Sequence, residues 1–130
     1  MRNETPFLLL YDGDCRICTA FARAVTHVAP GNAVRARPIQ ASRALLAGMS
    51  EAEALGSAHL VAPDGSLRHG PDVLPALLGT VLARPSLEAR VNASAHGRAA
   101  TERIYAVLVS LRGNLNCVIG VSASAAHSLR

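Results

Sequence analysis

Residues 7–21, FLLLYDGDCRICTAF, constrain this chain more than any other stretch. Phe7 to Tyr11 is short and continuously apolar, the pattern of a buried strand. Asp12-Gly13-Asp14 follows as a turn, with Asp12 suited to an Asx role and Gly13 to a backbone shape that a side chain would forbid. Helical spacing then begins: Ile17, Phe21, Val25 and Val28 recur at three and four residues, and Pro30-Gly31 ends the helix. Two cysteines, Cys15 and Cys18, stand at the junction between turn and helix.

The remaining pattern extends this start into a small α/β domain. Val34 to Ile39 alternates apolar and charged residues and reads as a second strand, near a sheet edge because of Pro38. Two short helical pieces come next, Ser42 to Met49 and one opened by a Ser50/Glu53 capping box and closed by Gly56. AHLVA is a third strand, Pro63-Asp64-Gly65 a turn, and SLRHG a fourth strand, which makes a hairpin. Pro71-Asp72 opens a helix through Leu82 that tolerates Pro75 in its first turn. Ser86 is placed to cap a weak helix to Ala93. A stronger helix runs from Arg98 to Arg112, with Ile104, Val107, Leu108 and Leu111 on one face and Gly113 as its stop. Strand–helix–strand implies a parallel pair, and the later hairpin adds an antiparallel one. The expected fold is thioredoxin-like: a four-stranded mixed sheet flanked by helices, with a helical C-terminal extension. Its single domain spans residues 7–120, before a frayed tail at 121–130.

Cysteines at i and i+3 on a first helical turn share a face and can approach to disulfide distance. Cys15, at the helix N-terminus, is expected to be the more exposed and to attack or accept attack, with Cys18 resolving the mixed disulfide one turn in. Arg16 favours a thiolate at Cys15, whereas Asp12 and Asp14 oppose it if they stay ionised and close. Asp14 has two possible roles, capping the helix through its carboxylate or moving a proton to or from Cys18. Tyr11 either walls the site or packs in the core. Metal binding and inert packing are the competing explanations of the pair. A closed zinc site needs four ligands, and beyond the pair only Cys117 and five separated histidines, His27, His59, His69, His96 and His127, are available. Neither a metal nor a cofactor is therefore expected. Cys117 lies in an apolar segment and reads as a buried free thiol. His59 and the preceding Ala58 open the third strand, which in a thioredoxin-like layout starts beside the cysteines.

LLLYDGDCRICTAF resembles the opening of the DCC family of thiol–disulfide oxidoreductases, named for an Asp-Cys-Cys signature. That signature falls here on Asp12 or Asp14 with Cys15 and Cys18. AHLVAPDGSLRHGPDVLPALL is similar to the family's second half, so the resemblance covers roughly residues 7 to 112. It implies a thioredoxin-like fold and a dithiol activity on a protein or small-molecule disulfide or thiol. Several features depart from thioredoxin itself. Arg-Ile stands between the cysteines in place of Gly-Pro, no Trp precedes them, and GSAH occupies the place of the cis-Pro before the third strand. These departures point to a restricted partner or a small-molecule substrate rather than general protein-disulfide reduction. The alternative is a non-catalytic binding or accessory module on the same fold, in a small-molecule pathway.

Charge and hydropathy narrow the partners. The formal charge of +4 comes from scattered arginines, with no Lys and no basic run interleaved with aromatics, so no nucleic-acid site is expected. The early apolar run is too short for a signal-peptide core, and no uncharged stretch stays apolar over membrane-spanning length. The expected location is the cytoplasm, with no membrane partner. There a close cysteine pair is catalytic or metal-binding more often than a structural staple.

Overall fold

The computed structural model describes the backbone of residues 5–119 and the side chains of residues 5–112. Four strands, β1 (Phe7–Tyr11), β2 (Val34–Pro38), β3 (His59–Val61) and β4 (Leu67–His69), form one sheet in the order β2-β1-β3-β4. β1 runs parallel to β2 and antiparallel to β3, and β3 pairs antiparallel with β4. Helices α1 (Arg16–Val28), α2 (Glu51–Leu55), α3 (Val73–Val81), α4 (Ser86–Ala93) and α5 (Ala95–Ile119) surround it. The chain is thus an α/β protein with a thioredoxin-like arrangement and a C-terminal helical extension.

The unbroken apolar run of β1 has a simple cause: the strand is internal and covered on both faces. Leu9 turns one way, into a core with Leu60, Ala22 and Val25 of α1, and Val73, Ala76 and Leu77 of α3. Leu10 turns the other way, against Ile39, Leu46 and Ala54. β2 is an edge strand, as its terminal Pro38 requires. The Ser50/Glu53 capping box forms in both directions, and Gly56 ends α2.

Three helical expectations change. Ser42 to Met49 does not form a helix; two short 3-10 turns, Ile39–Ala41 and Arg43–Leu46, stand there. Extended Ala47 and Gly48, at φ +95°, turn the chain away before a helix can propagate. Ser86 lies inside α4 rather than capping it, because Pro85 takes the cap position. The last helix starts at Ala95, where the Ser94 hydroxyl accepts from the Gly97 N–H (3.1 Å), and continues through Gly113. A single helical glycine costs only about 1 kcal/mol, too little to stop a long helix. The 121–130 tail and the Cys117 side chain lie outside the described residues.

β3 and β4 also carry a histidine pair. His59 and His69 are cross-strand partners with their Nδ1 atoms 2.7 Å apart, and His59 Nε2 lies 2.7 Å from the Ala54 carbonyl. A carbonyl only accepts, so Nε2 of His59 carries a proton, and neutral His59 takes a hydrogen bond at Nδ1 from His69. Burial at 1% exposure holds His59 below its ordinary pKa. The unfolded chain then binds a proton that the folded chain refuses. This contribution to stability is complete above about pH 6.5 and is lost as pH falls below it. Urea midpoints should drop between about pH 8 and about pH 5, and a His59→Gln variant should show a flatter profile; equal slopes would contradict this assignment.

Candidate active site

Asp12 organises the turn between β1 and α1. Its Oδ1 accepts from the Asp14 backbone N–H (2.9 Å), closing an Asx turn, and from Gln40 Nε2 (2.8 Å). Gln40 also accepts the Gly13 N–H through Oε1 at 2.9 Å, so the turn is tied to the loop after β2. Gly13 is required by space: a Cβ there would meet Pro38 Cβ at 3.0 Å and Gln40 Oε1 at 3.1 Å. Gly13→Ala should cost about 1 kcal/mol, read from the urea midpoint, and an unchanged midpoint would show that the turn relaxes freely.

Cys15 is the N-cap of α1. Its Sγ accepts the backbone N–H of Cys18 at 3.1 Å, so sulfur takes the place usually held by a hydroxyl or carboxylate. That leaves no capping role for Asp14, which is exposed while its backbone N–H is held by Asp12. The expected order of exposure is also reversed. Cys15 is 1% exposed, because the cap turns its sulfur inward over the first turn, whereas Cys18 is only partly buried. Burial pushes the Cys18 thiol up to about 12, the hydrogen bond and charge of Cys15 add to this, Arg112 pulls it down, and Asp12 adds a smaller upward push.

Cys18 opens onto an apolar cleft of about 80 Å³ between β1, α1, α3 and α5. Leu9, Tyr11, Ile17, Phe21, Leu108 and Val109 line its walls, and Tyr105 and Arg112 reach it from α5. The Tyr105 hydroxyl accepts from the Ala58 N–H at 3.4 Å, which holds α5 over the start of β3. Arg112 donates through Nη2 to Asp12 Oδ2 (2.8 Å) and to the Leu55 carbonyl (3.2 Å), tying α5 to the turn and to the end of α2.

Of the residues singled out in the sequence, Tyr11, Asp12, Cys18 and Ala58 meet at this cleft. Asp14, Cys15 and Arg16 border a shallow hollow outside it, with Gly13, Thr19 and Arg23. His59 joins neither: it lies opposite Leu10 in the ladder and so faces the other side of the sheet, toward Ala54. Period-two alternation explains this, since its neighbours Ala58 and Leu60 take the cleft side. Gln40, Tyr105 and Arg112 also hold this region together, through hydrogen bonds with Asp12, the Ala58 N–H and Asp12 respectively, and nothing local in the sequence marks them. The inward stripe of α5 is Thr101, Tyr105, Leu108 and Arg112, whereas Ile104, Val107 and Leu111 are exposed. Of the apolar face expected from the sequence only Leu108 points inward; the i, i+4, i+7, i+11 spacing of the true stripe is present but largely polar.

Among the described residues, no group of three or more His, Cys, Asp or Glu side chains gathers to hold a metal ion. No helix among them is long and apolar enough to cross a membrane. Comparison of the chain with protein-family models, with curated proteins and with solved structures returns no match.

Proposed function

We propose that the protein is a cytoplasmic thiol–disulfide oxidoreductase whose working couple is Cys15 and Cys18, as the resemblance to the DCC family implies. The observation that carries this reading is the Cys18 N–H to Cys15 Sγ contact of 3.1 Å at the mouth of α1, one turn from a second thiol that opens onto a cleft. A helix N-cap is a favourable place for sulfur to carry negative charge. The reaction needs no cofactor. Dithiol protein and a substrate disulfide exchange to give protein disulfide and two substrate thiols, with two electrons and two protons passing together, and the reverse is equally available. The substrate is a disulfide or thiol of a protein or a small molecule.

Turnover tests this. Purified protein with a dithiol reductant and an aromatic disulfide should release aryl thiol faster than the uncatalysed mixture, in proportion to protein concentration. A rate no greater than that of a Cys15→Ser/Cys18→Ser protein would defeat the proposal. The burial of Cys15 favours a second reading, a non-catalytic accessory module on the same fold, under which both cysteines are replaceable without loss of function.

A further inference from the structure

Building on the oxidoreductase reading, we infer that small apolar thiols reach the oxidised Cys15–Cys18 couple through the cleft and attack Cys18, so that the mixed disulfide forms on Cys18 and Cys15 is the sulfur expelled. This reverses the roles expected from position in the sequence. Access is the first reason. Cys15 is 1% exposed, so the outer hollow beside Asp14 and Arg16 offers almost no target at its sulfur. Cys18 is partly exposed and lines the cleft.

The second reason is the fate of charge. Displacement at sulfur expels the partner sulfur as a thiolate, and the better placed leaving group departs faster. Cys15 Sγ already receives the Cys18 N–H at 3.1 Å, so charge released there meets a donor in place. Cys18 has no such advantage; burial pushes its thiol up to about 12, so it stays protonated at neutral pH. Cys18 is thus a poor attacking thiolate in the reduced protein and an accessible electrophile in the oxidised one.

The third reason is the cleft itself. Ile17, Phe21, Leu108 and Val109 suit an apolar body, and the one guanidinium at the cleft, Arg112, is already neutralised by Asp12 at 2.8 Å, so the cleft selects by shape and apolar contact rather than by charge. The chemistry balances. One substrate thiolate attacks Cys18 Sγ, the Cys15–Cys18 bond breaks, and its electron pair leaves on Cys15. A second substrate thiolate attacks the bound substrate sulfur, substrate disulfide departs, and Cys18 leaves with the electron pair of the broken S–S bond, taking up a proton as it departs. The two protons given up by the two thiols end on Cys15 and Cys18. Two substrate thiols are oxidised and the protein disulfide is reduced.

The test uses the full chain carrying Cys117→Ala, oxidised and then mixed with 4-methylbenzenethiol. The reaction is stopped in acid and free thiols are blocked with a maleimide. Cleavage after Arg16 separates the two cysteines for mass analysis. The aryl group is expected on the Cys18 peptide and the maleimide on the Cys15 peptide; the opposite labelling would overturn the inference. A second measurement holds even if the intermediate is too short-lived to trap. Leu108→Trp fills the cleft and should slow reduction of the protein disulfide by this thiol about tenfold, in a protein whose circular dichroism is unchanged. An unchanged rate would also overturn the inference. If no Cys15–Cys18 disulfide forms at the outset, the oxidoreductase reading itself fails, which is a different result from labelling on Cys15.

Discussion

Cys15→Ser and Cys18→Ser should each lower catalysed thiol–disulfide exchange by about 10³-fold or more, to the level of solution chemistry. Each variant keeps one thiol of the pair, but neither can form the Cys15–Cys18 disulfide that releases product. Loss of fold does not explain the expected loss at Cys15. Serine is a good N-cap, and its hydroxyl can accept the Cys18 N–H that Cys15 Sγ now accepts. The Cys15→Ser protein should therefore keep its unfolding midpoint while losing turnover. Substantial catalysed exchange in both single variants would remove the dithiol mechanism.

The second large effect is expected at the Asp12–Arg112 pair. The carboxylate side chain is 14% exposed and the guanidinium side chain 28%, so the pair is neither a solvated surface contact nor deeply buried. Each partner is held elsewhere too: Asp12 by Gln40 and the Asp14 N–H, Arg112 by the Leu55 carbonyl. Removing one member leaves the other largely desolvated, and Arg112→Gln or Asp12→Asn should cost about 1–3 kcal/mol in urea unfolding. The two variants should then part company at Cys18. The Arg112 charge lowers the Cys18 pKa and the Asp12 charge raises it. Alkylation of Cys18 at fixed pH, which follows the thiolate fraction, should be slower in Arg112→Gln and faster in Asp12→Asn. Changes in the same direction would show that both variants act merely by loosening α5.

Local signals were the legible part of this chain. The apolar run of β1 and the spacing of Ile17, Phe21 and Val25 predicted the strand, turn and helix that carry the cysteines, and Pro38 marked β2 as an edge. Capping chemistry was legible where the residues were conventional, as at Ser50 and Glu53. It was missed at Cys15, because sulfur is an uncommon cap and Asp14 stood beside it with a better-known preference. The partners of Asp12 were not legible, since Gln40 and Arg112 are 28 and 100 residues away and are ordinary polar residues in sequence. α5 was misjudged for a related reason. Its inward face carries Thr101 and Arg112 to serve the cleft and the turn, while apolar Ile104, Val107 and Leu111 are exposed. The roles of Ala58 and His59 depended on strand pleat, which a one-residue shift in register inverts.

The redox midpoint of the Cys15–Cys18 couple tests the central claim most directly. The protein would be equilibrated across thiol–disulfide buffers, free thiols trapped, and the species counted by mass. The account predicts one two-electron transition that removes the Cys15 and Cys18 thiols together, at a potential within reach of cytoplasmic thiol buffers. Persistence of both thiols at every potential, with the fold intact, would contradict it.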